Sequence, residues 1–228
     1  MLIESFPAGI WQTNCYVVAS ARNTECIIID PGFNCADQVD EIINKFNLKP
    51  VATLLTHGHL DHMWSVVPVA DGYDIPAYIH TYDKHLLADP LAGISAETVA
   101  MLAESLADIT FVAPSEVIEF NTRTKISIAG IEIDLVPAPG HTAGSTIFQI
   151  HDDSQTVFTG DVLFAGAIGR TDLPGGSAQQ MNETLKSVIL PLSDGSRVLP
   201  GHGAESTMEI ERANNPFLRR IAQGLSAV

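Results

Sequence analysis

Positive charge is scarce in this chain: 12 Lys and Arg stand against 27 Asp and Glu, a formal net charge of −15. That balance argues against a phosphate backbone as partner, because affinity for nucleic acid comes largely from cations that displace condensed counterions. Long apolar runs are missing too. No stretch reaches the ~20 apolar residues of a membrane span, and the Met1-Leu2-Ile3-Glu4-Ser5 start lacks the basic beginning of a secretory leader. The cysteines are few and odd in number, Cys15, Cys26 and Cys35, with no metal-type spacing. They read as free, mostly buried thiols in a reducing compartment. A Gly-x-Ser-x-Gly nucleophile elbow is absent as well. Together these absences predict a cytoplasmic protein acting on a small molecule, with no nucleic-acid or membrane partner, and leave the oligomeric state open.

What the chain does have is core material. Of its 228 residues 46% are hydrophobic and 17% charged, ample for a compact interior. Leu2 to Phe6, Cys15 to Ala19 and Cys26 to Ile29 read as short strands, and Asp37 to Phe46 as a helix with Val39, Ile42, Ile43 and Phe46 on one face. Further strands are expected over Val51 to Leu55, Ala77 to His80, Lys125 to Ala129, Ile131 to Val136, Ser145 to Ile150, Thr156 to Phe158 and Arg197 to Leu199. Helices are expected over Thr81 to Ala88, Ala96 to Leu106, Ser177 to Leu190 and Pro216 to Leu225. The excursion from Leu91 to Phe111 is a plausible lid. No linker, repeat or low-complexity segment divides the chain, so one domain over 1-228 is predicted, with two packed sheets and helices outside.

The densest chemistry lies in Leu54-Leu55-Thr56-His57-Gly58-His59-Leu60-Asp61-His62, three imidazoles and a carboxylate where a buried strand gives way to a helix. His57 and His59, two apart in extended backbone, project to the same side, while Asp61 and His62 fall in the first helical turn and point elsewhere. Such a segment can serve two neighbouring metals. Neutral imidazole and carboxylate suit Zn²⁺, Fe²⁺ and Mn²⁺. Three more strand ends repeat the device with one candidate ligand each: His141 after Pro139-Gly140, Asp161 after Thr159-Gly160, and His202 between Gly201 and Gly203. His80 and His85 have no partner pattern and read as structural or exposed. Asp30, ahead of Pro31-Gly32, is within possible reach of the site but reads first as a turn residue bonding its own backbone.

In order and spacing, His57-Gly58-His59-Leu60-Asp61-His62, Pro139-Gly140-His141-Thr142, Thr159-Gly160-Asp161 and Pro200-Gly201-His202-Gly203 resemble the metal motifs of the metallo-β-lactamase superfamily. Within it, Ile168-Gly169-Arg170-Thr171-Asp172 and Asn215-Pro216-Phe217-Leu218 look like the short glyoxalase II-like hydrolases. The Gly-Arg-Thr-Asp element also occurs in the related persulfide dioxygenases. The resemblance implies an α/β fold, an αββα sandwich of two packed mixed β-sheets with outer helices. It assigns His57, His59 and His141 to one metal, Asp61, His62 and His202 to a second, and makes Asp161 the bridge. The cofactors implied are two divalent metal ions, zinc first, with iron or manganese as alternatives. Arg170 falls where that family places a basic substrate contact. The C-terminal basic helices of the longer glyoxalases have no counterpart here.

The reaction expected is hydroxyacylglutathione-type thioester hydrolysis by a hydroxide bridging two metals, with Asp61 orienting it. Metals ~3.5–4 Å apart acidify a shared water and polarise a carbonyl, so no Ser or Cys nucleophile is needed. A mononuclear iron persulfide dioxygenase is the alternative, with His57, His141 and Asp161 around Fe²⁺, as is a lactonase-type hydrolase. A purely structural metal site is disfavoured, since such sites are closed four-ligand cages and seven ligands exceed one.

Overall fold

The computed structural model describes residues 1–228, the side chain of Ser105 apart. Six strands form the first sheet in chain order: β1 (Leu2–Ala8), β2 (Thr13–Ala19), β3 (Glu25–Ile29), β4 (Lys49–Leu54), β5 (Ala77–His80) and β6 (Val117–Phe120). β1 to β3 run antiparallel, and β3 to β6 run parallel. Parallel neighbours need crossovers, supplied by α1 (Ala36–Phe46), by α2 (Leu60–Met63) with α3 (Val66–Tyr73), and by two 3-10 turns followed by α4 (Ala96–Leu106).

The second half builds a sheet of β7 (Thr124–Ile128), β8 (Ile131–Pro137), β9 (Thr146–Ile150) and β10 (Val157–Gly160). A small hairpin, β11 (Leu163–Phe164) and β12 (Ala167–Ile168), and helix α5 (Ala178–Thr184) come next. β13 (Arg197–Pro200) and β14 (Ser206–Thr207) complete the sheet in the order β14-β13-β10-β9-β8-β7, and α6 (Met208–Asn214) and α7 (Pro216–Ala222) close the chain.

Side chains alternate across each strand, and both faces are used. Val18, Ile27, Ile29 and Leu54 of the first sheet meet Ile133, Leu135, Phe148, Phe158 and Leu199 of the second in one core. The alternate positions Val17, Cys26 and Ile28 turn outward onto Val39, Ile43 and Phe46 of α1. On the other side Ile147, Val157 and Val198 pack against Met181, Leu185, Leu218 and Ile221. Strands covered on both faces read as continuous apolar runs, which is why Cys26-Ile27-Ile28-Ile29 shows no polar alternation. The layers are helix, sheet, sheet, helix: the αββα sandwich with two mixed sheets that the motifs imply.

Several local expectations differ from the structure. The helix expected over Thr81 to Ala88 is reduced to a 3-10 turn at Lys84–Leu87, followed by another at Pro90–Gly93. Pro90 disfavours helical backbone in the residue before it. The helix from Ser177 relaxes into a π turn over Leu185–Ile189. Strands β6, β11, β12 and β14 and helix α6 were not anticipated. α6 starts where Thr207 Oγ1 accepts from Ile210 N–H and ends before Asn215-Pro216, where Asn215 caps α7 through Phe217 and Leu218 N–H. The helix expected from Pro216 is thus present as α7, ending at Ala222, with α6 as an additional capped helix ahead of it. No helix among the described residues is long and apolar enough to cross a membrane.

Phe158 sits at the centre of the inter-sheet core with no exposure. Phe158→Ala should lower unfolding free energy by about 3–5 kcal/mol in denaturant titrations. Tyr82→Ala, at a side chain 65% exposed, should change it by about 0.5 kcal/mol or less.

Candidate metal centre

All seven side chains singled out above arrive at the same ends of their strands. β4 runs through Leu55 and Thr56 to His57, His59 is the N-cap of α2, and Asp61 and His62 lie in its single turn. His141 follows β8, Asp161 follows β10 and His202 follows β13. Three sets have all their ligand-type atoms within 4.8 Å of one another: His57, His59 and His141; Asp61, His62 and His202; and His57, His62 and Asp161. Asp161 stands between the first two sets. Its Oδ1 is 3.3 Å from His62 Nε2, and its Oδ2 is 3.5 Å from both His141 Nε2 and His202 Nε2.

The protons of the imidazoles are committed away from the centre. His141 Nδ1 donates to Arg170 O at 2.8 Å, and His62 Nδ1 donates to Asp30 Oδ2 at 2.9 Å. Thr56 Oγ1 donates to Asp30 Oδ2 at 2.6 Å and so accepts from His57 Nδ1 at 3.1 Å. Each bond holds Nδ1 outward and turns Nε2 toward the centre, the orientation that outer partners impose on metal-binding histidines. Asp30 is buried and also accepts from Thr56 N–H at 2.8 Å. Its role as a turn residue bonding its own backbone is thus corrected. The carboxylate reaches 26 and 32 residues along the chain to orient His57 through Thr56, and His62 directly. An Asp ahead of Pro-Gly looks like ordinary turn chemistry, and the backbone does turn there with φ +49°, but the carboxylate is aimed at the site.

The result is a buried convergence of acceptors. His57 Nε2 and Asp161 Oδ1 are buried with no hydrogen-bond partner, a costly condition unless a cation joins them. Burial, then the neighbouring His62, drives His57 well below the usual imidazole pKa, and burial with His141 takes His59 down to about 3. At neutral pH both are neutral, the form in which imidazole binds metal. For His62, burial pulls the pKa down, but Asp61, Asp161 and Asp30 outweigh it and raise it well above the usual value. Burial opposes ionisation of Asp61 and Asp161, yet the adjacent histidines hold both carboxyls below the ordinary range. Two carboxylates with inward lone pairs from buried imidazoles are the donor set of a divalent cation centre, and the seven residues fit that role.

Backbone crowding fixes the position of Asp161. A Cβ on Gly201 would collide with Asp161 Oδ1 and come within 2.7 Å of His62 Cε1, and one on Gly169 would overlap the Asp161 carbonyl. Glycine is therefore required at both turns by space alone. On the opposite flank Thr13 Oγ1 donates to Asp61 Oδ2 at 2.9 Å. Gly93, leading into α4, lies against the ring of His59.

Other expectations fall outside the convergent set. The Arg170 guanidinium makes a two-pronged pair with Asp172, at 2.7 and 2.8 Å, in solvent, and it is the Arg170 carbonyl that enters the site. His80 is buried against Phe120 and Tyr82, and its Nδ1 accepts from Tyr82 N–H. His85 is exposed.

Residues 8–202 match the family described as the metallo-beta-lactamase superfamily, and the chain belongs to it. Over 228 residues it is 41% identical to an uncharacterised protein of Mycobacterium tuberculosis, covering 98% of this chain and all of that one. It is 31% identical to the hydroxyacylglutathione hydrolase GloC of Haemophilus influenzae, covering 96% of this chain and 98% of the relative. Among solved structures it resembles BLEG-1 B3 metallo-beta-lactamase, with a TM-score of 0.81 and 32% identity over 95% of this chain and 99% of that one. It also resembles TTHA1623 in a di-iron-bound form, with a TM-score of 0.76 and 29% identity over 95% of this chain and the whole of that one.

Asp30→Asn places an amide N–H against a donor whichever way it turns, so bound zinc should be held about 10–100-fold less tightly in chelator competition. Asp161→Ala should strip metal more completely under the same dialysis, whereas His80→Ala and His85→Ala should keep the wild-type metal content by elemental analysis.

Proposed function

We propose that this protein is a dinuclear metal-dependent hydrolase of thioesters, akin to glyoxalase II. The observation that carries the two-metal reading is the place of Asp161, with one carboxylate oxygen toward His62 and the other toward His141 and His202. A mononuclear centre would use one set and leave the second assembled without purpose. His57, His59 and His141 would hold one cation, Asp61, His62 and His202 the other, and Asp161 would face both. Zinc is the first choice, and the di-iron form of TTHA1623 keeps iron in view. Thioester as the substrate class is supported by the likeness to GloC.

Divalent cations in such a site lower the pKa of water and polarise a carbonyl. The chain's own groups supply the rest. Thr13 anchors Asp61 Oδ2, leaving Asp61 Oδ1 to accept a hydrogen bond from the attacking water and orient it. Asp61 stays ionised because its neighbouring histidines hold its pKa down. Asp30 and the Arg170 carbonyl keep His62, His57 and His141 in the orientations described above. The carboxylate of an acyl-thiol carrier would compete with Asp172 for Arg170, whose own backbone carbonyl is bonded to His141 Nδ1.

The test is turnover of S-lactoylglutathione by metal-loaded protein, with a β-lactam, a lactone and a persulfide as comparison substrates. Thioester cleavage with about two metals per chain supports the proposal. A single iron with O₂ consumed on adding persulfide, or β-lactam or lactone cleavage without thioesterase activity, would replace it. Exposed ion pairs are worth about 0.2–1 kcal/mol, so Asp172→Ala should lower KM for the anionic thioester by up to about fivefold. Arg170→Ala should raise that KM, and neither change should alter KM for an uncharged thioester.

A further inference from the structure

A second buried carboxylate has no part in the scheme above. Asp83, in the turn after β5, is 2% exposed and has no cationic partner among the described residues. Its Oδ2 accepts from Gly58 N–H at 3.0 Å and from Thr142 Oγ1 at 2.6 Å, and its Oδ1 accepts from Gly144 N–H at 2.8 Å. Gly58 lies between His57 and His59, and Thr142 follows His141. One side chain therefore ties the turn carrying two candidate ligands, after β4 of the first sheet, to the turn carrying the third, after β8 of the second. The Thr142 hydroxyl has a fixed direction: Asp83 Oδ2 can only accept, so Thr142 donates to it and in turn accepts from Ser145 Oγ at 2.9 Å, while Ser145 Oγ accepts from Thr142 N–H at 3.0 Å. The approach is tight as well, since a Cβ on Gly144 would come within 2.5 Å of Asp83 Cγ.

From this geometry we infer that Asp83 is a positioning residue that sets the spacing of His57, His59 and His141, and hence the affinity and occupancy of the metal they hold. The inference rests on the metal reading of those three histidines. Asp83 touches none of them. It acts by holding the two peptide turns that present them at a fixed separation, as outer carboxylates do when they tune a metal site. Asparagine cannot replace it. With the amide nitrogen at the Oδ2 position, it faces Gly58 N–H and the Thr142 hydroxyl; at the Oδ1 position, it faces Gly144 N–H. Either way a donor meets a donor in a buried place.

The experiment is calorimetric titration of chelator-stripped protein with zinc alone. His141→Ala and His202→Ala mark which binding step belongs to which ligand set. Asp83→Asn should weaken the step that His141→Ala removes by about 10–100-fold and leave the other step within threefold. Thr142→Val, which removes one of the three donors, should weaken the same step, and Thr142→Ser, which keeps the hydroxyl, should restore wild-type affinity. If Asp83→Asn does not fold, the Thr142→Val and Thr142→Ser pair decides. Wild-type affinity in both Asp83→Asn and Thr142→Val, or equal weakening of both steps, overturns the assignment. A wild type that binds one zinc lets the comparison run on that step, and a wild type that binds none refutes the metal reading itself.

Discussion

The centre depends on the pairing of one buried carboxylate with two residues far along the chain. Asp30 takes the Thr56 hydroxyl on one oxygen, shares that oxygen with His62 Nδ1–H, and takes Thr56 N–H on the other. Because Thr56 then accepts from His57, both imidazoles turn Nε2 toward the centre without any choice left to the solvent. Asp30 lies just past the end of β3, and its own N–H is held by Leu54 O. The rigidity of the parallel β3–β4 pair is thereby passed to ring nitrogens several bonds away.

The same arrangement is electrostatically expensive in isolation. Carboxylates and lone pairs are gathered where water is excluded, and unpaired buried acceptors cost on the order of 1–3 kcal/mol each. Proteins accept such local conflict where function requires it. The raised pKa of His62 shows how strongly the pocket asks for positive charge. A strongly acidic chain, at −15 overall, adds a background that favours divalent cations near its surface and disfavours anionic molecules there. This makes the neutralisation of Arg170 by Asp172 consequential for how readily an anionic molecule approaches.

Much of this was legible from residue order. The seven candidate ligands stood out because imidazoles and carboxylates clustered at strand ends beside Gly and Pro, and each such position signals backbone turning away from a crowded point. The sandwich followed from continuous apolar runs such as Cys26 to Ile29, which make sense when both faces are covered. The groups that orient the ligands were not legible. Asp30 looks like a turn acid and Asp83 falls within the helix expected over Thr81 to Ala88, and their partners lie 25 to 61 residues distant, a separation that local pattern does not encode. Short elements were lost for the opposite reason: β11, β12 and β14 have two residues each, too few to show a period. At Thr81 to Ala88 helical spacing was present, but the peptide was diverted into 3-10 turns around Asp83, whose backbone carbonyl accepts from Leu86 N–H.

The seven candidate ligands are divided between the two sheets, four following β4 and one each following β8, β10 and β13. Away from the hydrogen bonds gathered at this same end, such as Thr146 N–H to Thr56 O and Asn14 N–H to Gly201 O, the sheets meet through side-chain packing, which resists separation better than it resists sliding. Cations gripped from both sides would act as a rivet against shear, and they would bind the registered sandwich while ignoring any state in which one sheet has slipped. Through mass action, a site filled at about a hundred times its dissociation constant would add about 2.7 kcal/mol to the native state. The metal supply of the cell would then set the mechanical coherence of this fold as well as its chemistry.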